Sequence, residues 1–363
     1  MKKLLLMMSV FAAVFASAQT SHIKLELETS GNARFVEDEF EDMAFMVNRL
    51  RLDFQGDLGD NLYYHFRTTY HKKADPFAVD NISRALEMAN IRWSPSEKFD
   101  LVVGKQFVEH AGYENYVNVL LVREFTDFNS NIEVYMTGLK GTYHFNPDQQ
   151  LTFQLTNNRS ETHNELFANS LGIEPAKIPL MGTLNWNGWF ADRALNLMYA
   201  TSVSQVAQGK YLYYFTGGNI YQKGPILTYF DIMYARGQVD KSQRITSLTG
   251  GLLPVAQNTE YLTLIADFEY QFAPKWNAYI KGAYETASVY EDNGFYKKGT
   301  YLNTWNAQAC LEWFPMTKKK GLKIYLHYVY KGNDLQDRAL ALNAVLPDSQ
   351  RISLGLTYSF PVL

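Results

Sequence analysis

The sequence predicts an all-β chain closed into a transmembrane antiparallel β-barrel of about sixteen strands, and three observations predict it. Runs of about ten residues alternate strictly between apolar and polar side chains, as a strand with one greasy and one wet face requires. Short and long connections take turns between these runs. The last run reaches almost to the C-terminus and carries aromatic residues there: Ile352, Leu354, Leu356, Tyr358 and Phe360 interleave with Arg351, Ser353, Gly355, Thr357 and Ser359. Outer-membrane barrels typically end on such a strand.

Before the first strand, Lys2 and Lys3 precede an apolar core from Leu4 to Ala16 and a small-residue site, Ala16-Ser17-Ala18. This pattern is that of a secretory signal peptide over residues 1–18, with the mature chain, residues 19–363, forming a single transmembrane barrel domain. The alternating runs then fall at His22 to Thr29, Ala44 to Gln55, Asn61 to Lys72, Ile82 to Trp93, Lys98 to Phe107, Asn131 to Phe145, Gln150 to Asn158 and Ile178 to Asn187. The second half follows as Arg193 to Val203, Lys210 to Gln222, Pro225 to Arg236, Thr259 to Phe272, Trp276 to Ser288, Gly299 to Phe314, Gly321 to Gly332 and Ser349 to Phe360. In the second run Leu50, Leu52 and Phe54 alternate with Arg51, Asp53 and Gln55, and the alternation resumes after a Gly56 to Asp60 turn. An even strand count returns both termini to one side.

Short turns such as Ser94 to Glu97, Asn146 to Asp148, Ala273 to Lys275 and Pro315 to Lys320 belong on the periplasmic side. Longer connections face outside: Ser30 to Met43, His71 to Asn81, Val108 to Ser130, Arg159 to Lys177, Gly237 to Asn258, Tyr290 to Lys298 and Asn333 to Asp348. Trp93, Phe99, Phe145, Trp186, Phe272, Trp276 and Trp313 share apolar-face parity and flank the short turns, as an interfacial aromatic girdle does. Hydrophobic residues make up 47% of the chain, yet no stretch approaches the roughly 18 unbroken apolar residues of a spanning helix. The single cysteine, Cys310, rules out an internal disulfide framework. A net charge of −3 gives no reason to expect nucleic acid as a partner.

The run Arg-Leu-Arg-Leu-Asp-Phe-Gln-Gly-Asp-Leu-Gly-Asp from Arg49 to Asp60, followed by the run from Ile91 to Gln106 that contains Arg92-Trp93-Ser94-Pro95, resembles the phosphate-selective porin (O and P) family of outer-membrane porins. The resemblance implies a sixteen-stranded channel, commonly trimeric, for passive diffusion of small hydrophilic or anionic solutes. It also implies an inward-folded third external loop that narrows the pore, here Val108 to Ser130. Outer-membrane lipids, lipopolysaccharide and a homotrimer are the expected partners, and the bacterial outer membrane the expected location. Phosphate-selective members carry a dense lumenal arginine ladder with lysines at the narrowest point. This chain lacks such a ladder, and its third loop is more acidic than basic, with Glu109, His110, Glu114, Arg123, Glu124 and Asp127.

A pore discriminates by radius and by lining charge. Parity places Arg49, Arg51, His65, Arg67 and Arg92 on the wet face as a basic wall. Lys281, Lys323, His327 and Arg351 share that face with Asp53, Asp100, Asp231, Asp267, Glu269, Glu285 and Glu312. If the first turn centres on Leu58, Arg49 lies opposite Arg67 and Arg51 opposite His65, and like charges directly opposite cost stability. Two readings follow: an eyelet whose basic wall faces the acidic loop, or arginines that anchor the loop and satisfy Asp53 and Asp100. Asp267 falls opposite Lys281 and reads as a structural pair. The acidic run Glu37 to Asp42 offers oxygen ligands to a hard cation or is a solvated loop, and Lys318 to Lys320 is a solubilising turn.

Seven scattered histidines offer no convincing nucleophile, base and orienter, and no metal-ligand spacing, so neither an enzyme, a metal nor a cofactor is expected. Too few residues precede the second strand to form a plug domain. The competing reading is a closed structural or adhesin barrel whose long loops seal its mouth.

Overall fold

The computed structural model describes residues 20–361 apart from 73–79, 81, 117–121, 168, 169, 171 and 317–320; the signal-peptide run and the Lys318 to Lys320 turn lie outside the described residues. Among the described residues there are sixteen strands: β1 (Thr20–Val36), β2 (Glu39–Asp57), β3 (Leu62–Thr69), β4 (Leu86–Ser96), β5 (Phe99–Phe107), β6 (Tyr135–Asn146), β7 (Gln149–Asn157) and β8 (Leu180–Phe190). They continue as β9 (Leu195–Ala207), β10 (Lys210–Lys223), β11 (Ile226–Val239), β12 (Gln257–Ala273), β13 (Trp276–Val289), β14 (Gly299–Trp313), β15 (Leu322–Leu335) and β16 (Ser349–Pro361). Each pairs with its chain neighbours, and β1 pairs antiparallel with β16, closing the barrel. Closure satisfies the strand edges that an open sheet would leave in lipid. No described helix is long and apolar enough to cross a membrane.

The alternation read from the sequence becomes an inside and an outside. On β13 the side chains of Asn277, Tyr279, Lys281, Ala283 and Glu285 are buried inward, whereas Ile280 on the outer face is 63% exposed. Ile91, Val103, Leu139, Phe153, Leu184, Phe230, Leu326 and Leu354 continue this exposed apolar band. Its area would be unfavourable in water at roughly 25 cal/mol per Å², and hydrocarbon removes that penalty. At the short-turn end Trp276 stands opposite Trp313, their rings stacked at 6.2 Å, and Phe272 stacks on Trp276 at 6.5 Å.

Two local expectations are corrected. The stretch Ser30 to Met43 is no long loop: β1 and β2 continue to a tight turn at Glu37 and Asp38, both with positive φ (50° and 66°). The acidic run is therefore mostly strand, Arg34 holds Asp42 through a bidentate pair, and no group of three ligating side chains is found among the described residues. The first hairpin register also differs. The turn falls over residues 58–61, so Arg67 lies opposite Asp53, His65 opposite Gln55 and Arg51 opposite Thr69. The expected like-charge pairs do not form, because moving the turn centre by two residues shifts each cross-strand partner by four, an even number that keeps the faces but replaces each arginine's neighbour.

The long loops differ in what they cover. Phe128, Ile132, Phe167, Ile173, Ile245, Leu248 and Val255, all from loops, pack with Val206, Leu212, Val239, Tyr261, Val289 and Leu302 into one apolar cluster at the long-loop end. It stands over β9 to β14. The lumen beside β1 to β4 keeps its polar lining.

Candidate functional site

The connection from β5 to β6, residues 108–134, is held by side chains from around the bore. Gln154 on β7 accepts the Glu109 N–H at 2.9 Å, and Thr216 on β10 accepts that of Ala111 at 3.1 Å. Asp231 on β11 accepts the N–H groups of Tyr113 and Glu114 at 2.8 and 2.9 Å. Here the loop backbone touches the wall: a Cβ on Gly218 would lie 2.8 Å from the Cα of Gly112, itself at φ +110°, a conformation that favours glycine. A helical turn, α1 (Tyr113–Tyr116), follows. Beyond residues 117–121, Thr126 caps a second turn, α2 (Asp127–Asn131), whose free Asp127 and Phe128 N–H groups donate to Glu285 on β13 at 2.9 and 3.0 Å.

The loop's carboxylates face cations on the far wall and on the loop before β12. Lys281 on β13 donates to Glu114 at 2.6 Å and to the Glu124 carbonyl at 2.6 Å, so its partner is not Asp267 even though Asp267 stands opposite it in register. Arg351 on β16 donates to Glu124 at 2.6 Å; Arg244 and Lys331 hold Asp127. Glu109 pairs with Lys140 at 2.6 Å and accepts from the Tyr116 hydroxyl. His110 is fully buried with its ring against Tyr214, and that burial drives its pKa down to about 3. The acidic loop thus does not face the basic wall in these pairings. The loop residue that reaches β1 is a cation: Arg123 donates to Glu28 at 3.2 Å and to Glu312 on β14 at 3.1 Å, with Tyr325 3.9 Å beneath its guanidinium.

The basic wall is mostly neutralised by its own neighbours. Arg51 pairs with Glu87 at 2.9 Å and Glu26 at 3.4 Å, Arg67 with Asp53 at 2.6 Å, and His65 meets the same carboxylate at 3.1 Å. Arg92 lies over the Tyr63 ring at 4.6 Å. Glu26, Glu28 and Glu87 are the site residues that the sequence reading missed. Their signal was present, since Glu26 and Glu28 alternate with Leu25 and Leu27 and so share the wet face.

Two polar cavities flank the loop along this wall. One, of about 460 Å³, is lined by Glu28, Arg49, His71, Arg123 and Arg351. The other, of about 380 Å³, is lined by Glu26, Arg51, Asp53, Arg67, Asn115 and Tyr116. Consecutive inward residues of β1 (Glu26, Glu28) and β2 (Arg51, Arg49) lie in successive cavities, so the two are aligned along the strands.

A closed sixteen-strand barrel with a charged bore and an apolar outer belt is the architecture of a channel, and the family comparison agrees: the phosphate-selective porin O and P family matches residues 25–360. The chain belongs to that family. No curated protein is similar to it in sequence. Among solved structures, the outer-membrane channel DcaP of Acinetobacter baumannii is 14% identical with a TM-score of 0.65, covering 95% of this chain and 98% of that one. OmpF of Salmonella typhi, solved with daunomycin, is 12% identical with a TM-score of 0.62, covering 95% and 99%. The trimer form of OmpT of Vibrio cholerae is 12% identical with a TM-score of 0.56, covering 94% and 99%. These likenesses are of fold. The porin is a β-barrel channel of the bacterial outer membrane.

Proposed function

We propose that this porin passes small hydrophilic solutes by passive diffusion along the β1 to β4 wall, with the β5–β6 loop folded inward as the constriction. The observation that carries this reading is the pair of polar cavities aligned on either side of the loop, sharing one charged wall. The basic wall of Arg49, Arg51, His65, Arg67 and Arg92 and the loop residues Glu109, His110, Glu114, Arg123, Glu124 and Asp127 divide the work. The loop carboxylates hold the loop to the far side of the bore, Arg123 is taken up by Glu28 and Glu312, and Arg49 presents positive charge to the remaining path. Because most wall cations already have carboxylate partners, ion preference is weak and leans toward anions, without the continuous ladder of free cations that strong phosphate selectivity would use.

The assembly is a homotrimer, in keeping with the trimer form of OmpT among its structural likenesses, and residues 1–18 are removed as a signal peptide. Long loops face the cell exterior. Single-channel conductance of refolded protein in a planar bilayer, with reversal potential under a salt gradient and phosphate titrated against chloride current, tests the reading. Steady, weakly anion-preferring current without phosphate block is expected. Absence of current in folded protein would favour the sealed structural barrel, and block by low phosphate would restore strong phosphate selectivity.

A further inference from the structure

Two members of the basic wall, Arg49 and Arg92, have no ion-pair partner among the described residues; Arg92 lies over the Tyr63 ring, whereas Arg49 keeps buried N–H groups without an acceptor. The register partner of Arg49 on β1 is Glu28, a placement that should neutralise it. The loop intervenes: the Glu28 carboxylate accepts from Arg123 at 3.2 Å and from the Tyr325 hydroxyl at 3.1 Å. Arg49 is left with its Nε and Nη1 groups shielded from solvent and without an acceptor. The neighbouring Arg123 and Arg351 each retain an Nε in the same condition, and all three arginines line the same cavity of about 460 Å³. Buried N–H donors of a cation without an acceptor are unfavourable; Arg49 lines the cavity, so a small turn of its guanidinium toward that space lets an oxyanion supply a charge-assisted acceptor.

The rest of the lining narrows the class of ligand. His71 lies at the cavity wall, and its Nδ1 accepts from the Leu50 N–H at 3.4 Å and faces the Thr69 hydroxyl. An Nδ1 that accepts from a backbone amide places the ring proton on Nε2, which is then a neutral donor. Met46, Val122, Phe125 and Tyr325 give the same cavity an apolar side. A volume of this order suits a small organic ligand, for which pockets run from about 300 to 1,000 Å³.

We propose that this cavity is a binding site for the carboxylate of a small organic acid, gripped by Arg49 and packed through its apolar body against Met46, Val122 and Phe125. One uncompensated guanidinium matches one negative charge. A phosphate dianion would leave charge unmatched and would set strongly hydrated oxygens against the apolar side. The inference rests on the permeation path proposed above, because the site lies on that path.

The test is block of chloride current through the refolded, full-length barrel by benzoate, with benzamide and inorganic phosphate as comparison probes. Benzoate is expected to block at a concentration at least about tenfold below that needed for either comparison probe, the ratio a single charged fork supplies. Arg49→Gln should raise the half-blocking benzoate concentration by about tenfold or more while the channel still conducts. Equal block by benzamide would overturn the proposal by showing a site that reads shape rather than charge, and equal or stronger block by phosphate would overturn the carboxylate preference. Benzoate block that survives Arg49→Gln unchanged would also overturn it. Should that variant fail to assemble, the benzoate and benzamide comparison on the native chain decides alone. Current without benzoate block sinks this inference and leaves the channel standing, whereas no current in folded protein sinks the permeation path itself.

Discussion

Replacing Asp231 with alanine should loosen the β5–β6 loop and make the channel noisy. Asp231 is fully buried and accepts two loop N–H groups, from Tyr113 at 2.8 Å and Glu114 at 2.9 Å. Alanine supplies no acceptor, and each stranded N–H costs about 1–3 kcal/mol, so the docked loop loses about 2–6 kcal/mol relative to a displaced loop whose amides reach water. Even 2 kcal/mol is about a thirtyfold shift between docked and displaced states. The remaining anchors, Lys281 on Glu114 and Glu285 on the start of α2, keep the displacement local. Single-channel recordings should show frequent excursions to higher conductance, and limited proteolysis should cut the loop in barrels that still migrate as folded protein. Asp231→Asn, which keeps one acceptor oxygen, should fall between. A quiet current of native amplitude together with native protease resistance in folded Asp231→Ala would refute the anchoring role.

Other outcomes follow from the same contacts. Arg123→Gln removes a cation shared by two buried carboxylates and should cost about 3–5 kcal/mol, read as a lower melting temperature in detergent. It also frees Glu28 to meet Arg49 across the β1–β2 register, so reversal potential should move toward cation preference; an unchanged potential would contradict the pairing. Gly218→Ala should reproduce the noisy channel, since its Cβ would lie 2.8 Å from the Gly112 Cα and 2.9 Å from an Asp231 oxygen, whereas Gly282→Ala, with open space around it, should conduct like the native chain. Acid should loosen the loop through His110, whose pKa burial lowers from the ordinary 6.5 to about 3. The ring is neutral while docked, so this contribution is complete above about pH 6.5 and is lost progressively as pH falls toward 3. Current noise should therefore grow below about pH 6 and flatten in His110→Phe; identical pH profiles would show that another group is responsible.

Strands and faces were legible because each run carries its own evidence. Leu262, Leu264, Ala266 and Phe268 alternate with Thr263 and Asp267 whatever lies next to them, and β12 follows that alternation. The aromatic girdle was legible for the same reason: Trp276 and Trp313 each sit beside a short turn, and their stacking follows from the register. Less legible were the places where the chain departs from the average. β1 and β2 run on through residues 30–43 because Arg34 and Asp42 can pair across an extended hairpin, a contact that loop-like acidity concealed.

The site depended on contacts that no local pattern encodes. Parity put Glu285, Lys281 and Glu312 on the inner face, yet only the folded loop determines that Lys281 binds Glu114 rather than Asp267. The offset at residues 58–61 likewise turned an expected stack of like charges into the Arg67 and Asp53 pair. The sequence alone therefore determined the barrel, its inner and outer faces and its membrane belt, since side-chain alternation is a property of each strand by itself. Tertiary structure alone decided which charges are neutralised and which remain: Arg123 reaches Glu28 across 95 residues of chain, and that contact leaves Arg49 without its carboxylate. Charge pairing depends on distance in space, and only closure of the barrel around its loop fixes those distances.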